Sequence, residues 1–82
     1  MAPRIRIKWI KSDKAWGYAD TAKRTIELDR RLDDKTMLEI AVHETAHICL
    51  PVLDEAAVET LGKQAADVLW RLGFRRAHDG DE

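Results

Sequence analysis

The chain holds one cysteine, Cys49, so no disulfide can close within it. A reducing, cytoplasmic setting is therefore expected. It has no apolar run long enough for a membrane span. Its opening residues, MAPRIRIKWI, lack the apolar core of a signal peptide. There are no internal repeats and no low-complexity linker. No nucleic-acid motif is present, which argues against nucleic acid as a partner. Aromatic residues are few, and Trp9, Trp16 and Trp70 are expected to pack in the core or an interface.

What the chain does have is charge, 35% of its residues, beside 45% hydrophobic residues. That balance belongs to a folded globular domain rather than a disordered one. At 82 residues it is one domain at most, small enough that a metal or a partner would help its core. The net charge of −1 is unevenly spread. Residues 1–31 carry nine Lys/Arg against four Asp/Glu, or +5, and residues 32–82 carry five against eleven, or −6. Such runs read first as solvated surface. A sharper reading is a basic face for nucleic acid or an acidic peptide.

In RIRIKWI, residues 4–10, Ile5, Ile7 and Trp9 alternate with Arg4, Arg6 and Lys8, the period of a half-buried strand. AWGYA (15–19) is a short aromatic strand candidate. RTIEL, residues 24–28, continues to Asp29 as a third, with Ile26 and Leu28 inward. The last two strands form a hairpin around DTAK. A three-stranded, mostly antiparallel sheet is expected.

The period then lengthens. Asp33 or Asp34 suits a helix N-cap, and Pro51 stops the helix after about residue 49. Met37, Leu38, Ala41, Val42, Thr45, Ile48 and Cys49 share one broad face of it. His43 and His47 sit on the other side with Glu44 at the border, and Cys49 is expected to be buried and inert. Asp54 caps a second helix, about 55–72, that ends at Gly73. Its main apolar stripe is Val58, Leu61, Ala65, Val68, Leu69 and Leu72. A second stripe holds Glu55, Glu59, Gly62, Ala66 and Trp70, where the two small residues admit a close neighbour. The polar end, RRAHDGDE (75–82), is expected to fray. The fold class is α+β: three strands and two helices in a single domain, 1–82.

HETAH, residues 43–47, fits H-E-x-x-H. Residues four apart stack on one helical face, so His43 and His47 present their rings to one point. Zinc accepts imidazole nitrogens in tetrahedral sites. Glu44 is placed to act on water at an open coordination position, the general-base geometry of a zinc hydrolase. A catalytic site needs a third ligand. Asp54, Glu55, Glu59 and His78 are the candidates. Asp54 reads better as the cap. Glu55 ranks first because it lies nearest the turn and the main stripe, and Glu59 follows.

HETAH with a glutamate on the next helix resembles the zincins, and within them the gluzincins. The short strands, HExxH helix and immediate glutamate helix are most similar to the very small zincin-type metallopeptidases of phages and bacteria. A fainter likeness runs to the peptidases that cleave phage immunity repressors. The resemblance covers about residues 24–73. It implies a minimal zincin-like domain with Zn²⁺ held by His43, His47 and Glu55, and with Glu44 as the base that activates water. It also implies a peptide or protein substrate bound in extended form along an edge strand, here RTIEL, and hydrolysis of its peptide bonds. Leu50 and Leu53 stand where the metzincin pattern has glycine and a third histidine. Tyr18 is a candidate phenol donor to the transition state, though an aromatic in a short strand is more often core. The alternative is a zinc-stabilised, non-catalytic binding module or an inactive peptidase relative.

Overall fold

Alternation between cations and apolar residues makes Arg6–Ile10 a strand, β1. Gly17–Asp20 is β2 and Thr25–Asp29 is β3, joined by the expected hairpin. The structure, a computed structural model, describes residues 3–77. Helix α1 runs over Asp34–Cys49 and α2 over Glu55–Arg71, each within a residue or so of its expected bounds. The architecture is α+β, a three-stranded sheet with two helices. Among the described residues no helix is long and apolar enough to cross a membrane.

The strand order is β1-β3-β2. β2 pairs antiparallel with β3, while β1 pairs parallel with it, so the sheet is mixed, with one pair of each kind. This corrects the position of RTIEL: β3 is the central strand and has no free edge. The cause is the path of residues 11–16. Instead of turning back beside β1, they cross the end of β3 and enter β2 on its far side.

Asp29, at the end of β3, ties that crossing down. Its carboxylate accepts from the Ser12 backbone N–H at 3.1 Å and from Arg31 Nη2 at 2.7 Å, while its own N–H donates to the Trp16 carbonyl at 2.9 Å. Arg31 Nη2 also donates to the Ser12 carbonyl. Asp29 is buried, and Arg31 holds its carboxyl far below the ordinary 3.8, with backbone N–H bonds from Arg31 and Ser12 lowering it further. A carboxylate depressed on folding stabilises the fold above its ordinary pKa, and that stability drains away as pH falls. The denaturation midpoint should therefore decline as pH drops below about 4 and go on declining. In Asp29→Asn that acid limb should flatten. An unchanged acid limb in the variant would show that Asp29 is not its source.

Ile26 and Leu28 of β3 meet Met37, Ile40 and Ile48 of α1 in the core. α1 lies over β2 and β3, and among the described residues neither helix packs on β1. Ile7 and Trp9 therefore remain 59% and 37% exposed on a face the alternation marks as inner. α2 packs on α1 with Val58, Gly62 and Ala66 buried. Its expected main stripe is thus only partly used: Leu61, Val68 and Leu72 are exposed. Gly62 explains the choice of face, since a Cβ there would stand 3.0 Å from the Glu39 carbonyl and 3.5 Å from His43 Cβ. An added Cβ there would force the Glu39 backbone to give by a few tenths of an ångström.

Trp16 is exposed rather than packed, and Cys49 is exposed in the last turn of α1. Arg75 stacks over Trp70 and Arg76 over Trp9, with guanidinium carbons 3.2 and 4.4 Å from the ring centroids.

Candidate metal centre

Two caps set the approach of the helices. The Asp33 carboxylate accepts from Thr36 N–H at 2.8 Å and starts α1. After α1 the chain turns through Leu50–Leu53, and the Asp54 carboxylate accepts from Ala57 N–H at 2.8 Å and starts α2. Asp54 is therefore committed to its cap. The next residue, Glu55, opens α2 beside the HETAH face of α1.

Glu55 Oε1 lies 2.7 Å from His43 Nε2, and its Oε2 lies 3.3 Å from His47 Nε2. The imidazole rings meet edge to face, 4.9 Å apart. One ligand atom from each of the three residues falls within 4.8 Å of the others. Atoms bound at about 2.05 Å around a tetrahedral metal stand roughly 3.3 Å from one another. The group therefore has the span of a zinc site after small side-chain adjustment. Two imidazole nitrogens and one carboxylate oxygen also make a donor set that zinc accepts. Among the described residues no fourth His, Cys, Asp or Glu joins the group.

The other candidates go elsewhere. The Glu59 carboxylate accepts from Lys63 Nζ at 2.9 Å, one turn along α2. His78 lies outside the described residues. Tyr18 is opposite Glu27 in the hairpin, so its ring points to the outer face of the sheet, away from α1.

Glu44 differs from these surface acids. It is only 8% exposed and makes no hydrogen bond or ion pair with the described residues. Burial raises its pKa, the nearby His43 and His47 oppose the rise, and Glu55 adds to it. A buried carboxyl without a partner carries an energetic penalty. Both oxygens nonetheless keep some solvent contact, since no buried side-chain oxygen lacks a bond. The carboxyl is thus held against the protein with its open side toward water.

Gly17 makes this placement possible. A Cβ on it would stand 2.8 Å from Ile40 Cγ2, 2.9 Å from the Glu27 carbonyl and 3.3 Å from Glu44 Cγ. The missing side chain lets α1 settle onto β2, with Glu44 against that strand. Sequence reasoning missed this residue. The available signal was a glycine inside a short strand, which marks a close approach.

No family model, no curated protein and no solved structure matches the chain.

Proposed function

We propose that the protein is a zinc-dependent peptidase in which His43, His47 and Glu55 hold the metal and Glu44 is the general base. One observation carries this reading. Three metal-type donors converge across the α1–α2 contact, and the residue after His43, Glu44, is a buried carboxyl that has no hydrogen-bond or ion-pair partner among the described residues. A structural zinc site closes with four protein ligands, whereas a catalytic one keeps a position open. With no fourth donor among the described residues, the three-donor group favours the catalytic alternative over a zinc-braced binding module.

Bound zinc supplies Lewis acidity, which polarises a carbonyl and acidifies water. The chain's own residues do the rest. Glu44 accepts the proton from the attacking water and delivers it to the departing amine nitrogen as the peptide C–N bond breaks. Burial raises its pKa, the direction that favours accepting a proton. Glu55 reaches both histidines from the second helix, which holds its carboxylate at the site.

The substrate edge follows from the strand order. β2, not β3, is the open edge beside Glu44. Asp29 N–H donates to the Trp16 carbonyl, and alternation then leaves the backbone groups of Gly17 and Ala19 pointing outward. An extended peptide can add there through main-chain bonds, with little demand on its side chains.

The direct test strips the protein with a chelator and titrates zinc back. A zinc concentration one hundred times Kd adds about 2.7 kcal/mol of stability. For a domain this size that raises the melting temperature by on the order of ten degrees. Cleavage of a mixed peptide library should appear with one equivalent of zinc and vanish with chelation. A metal-loaded protein that never cleaves would leave only the braced module.

A further inference from the structure

We propose that the free edge of β1 is a docking strand for a partner protein, and that its occupant is an extended segment in which acidic and apolar residues alternate. This surface lies across the sheet from Glu44 and is independent of the metal-site reading. β1 is an edge strand with no helix over it among the described residues.

Its backbone is half unused. Arg6 N–H donates to the Arg24 carbonyl and the Ile10 carbonyl accepts from Arg30 N–H, so Arg6, Lys8 and Ile10 turn their main-chain groups toward β3. Ile7 and Trp9 turn theirs to the open side. On the inner face Ile7 and Trp9 sit beside Ile26 and Leu28; Ile7 stays 59% exposed, while Arg76 stacks over the partly exposed Trp9 ring. On the outer face Arg6 and Lys8 are exposed, and Arg4 continues the row. An open cleft of about 1110 Å³ flanks the start of the strand, lined by residues 3–7 and 22–25. Its charged side chains are Arg4, Arg6, Lys23 and Arg24, with no acid among them.

These features select among occupants. A second copy pairing β1 with β1 would set Arg6 and Lys8 against their own kind, which is unfavourable across a ladder. Single-stranded nucleic acid would neutralise the cations but leave Ile7 and the outward amides unserved. An antiparallel strand with acids on one face and apolar residues on the other satisfies all three: it pairs the cations, covers Ile7, and completes the ladder. The sequence alone offered less, because alternation implied that Ile7 and Trp9 were buried. Cations on an edge strand also discourage aggregation. Lys23 and Arg24 lie off β1, however, and line the same cleft, which protection of the edge does not require.

The test uses a fluorescently labelled peptide, Glu-Val-Glu-Ile-Glu-Val-Glu, and its anisotropy with the full chain. Saturable binding is expected, weakened about tenfold by the double variant R6E/K8E. Two N-methylated peptides provide a readout that needs no variant. In an antiparallel ladder the apolar residues donate to β1, so methylation of their amides should abolish binding, and methylation of the glutamate amides should spare it. Equal binding by both methylated peptides would overturn the proposal. So would no binding of the parent peptide, tighter capture of oligo-dT than of peptide, or a dimer in sedimentation that the peptide does not dissociate.

Discussion

Glu44→Gln is expected to bind zinc as the natural protein does and to hydrolyse peptides about 10²–10⁴-fold more slowly, the usual worth of a positioned proton-transfer group. The substitution separates chemistry from folding because of where Glu44 lies. Its carboxyl is buried, has no partner among the described residues, and is pushed toward its neutral form by burial. Glutamine keeps the shape and removes the charge, so the fold loses no ion pair. The melting temperature of the zinc-free protein should stay level or rise. Zinc affinity depends on His43, His47 and Glu55 and should change little. The measurements are turnover of a peptide pool, zinc titration and thermal unfolding on one preparation. Turnover surviving within tenfold of the natural rate would remove Glu44 from the mechanism. Loss of zinc together with turnover would instead assign Glu44 to holding the site.

The parts of the fold and the site that could be read in advance are those encoded by local spacing. HETAH placed two rings on one helical rung, and Asp54 followed by Glu55 marked where the second helix begins. Together they brought Glu55 to the histidines with no long-range information. The β2–β3 hairpin was equally local. The pairing of β1 was not, because alternation says which face a side chain takes and nothing about which strand lies alongside, or in which direction. That is why RTIEL looked like an edge and proved central. The burial of α2 was ambiguous for a different reason. Its apolar residues cover a wide arc, and only the small residues Gly62 and Ala66 permit the close approach that decides which part of the arc is used. Larger residues beside them, Leu61 and Val68, had the stronger hydrophobic signal and stayed exposed. Cys49 was misjudged: it is the last residue of α1 and is exposed there, although it shares the broad apolar face.

Glu55→Ala should lower zinc affinity by on the order of a hundredfold, while Glu59→Ala leaves it unchanged. Zinc bound by four protein ligands in small domains gains about 10–16 kcal/mol. Shared evenly, each ligand supplies about 2.5–4 kcal/mol, so one missing carboxylate is a large loss. The two glutamates lie one turn apart on the same helix, and the sequence ranks Glu55 ahead of Glu59 because it lies nearer the turn and the main apolar stripe. They separate through their partners: Glu55 bridges both histidines, whereas Glu59 is engaged by Lys63. Stability provides the control. Glu55 is 67% exposed at its side chain, and an exposed pair is worth only about 0–1 kcal/mol. Zinc-free Glu55→Ala should therefore unfold close to the natural midpoint, and the gap should open only as zinc is added. Competition with a chromophoric chelator gives the affinities, and thermal unfolding with and without zinc gives the linkage. If Glu59→Ala proved the weaker binder of the two, α2 would have to slide by about one turn along α1, against the close contact at Gly62. That outcome would contradict the helix packing as well as the ligand set.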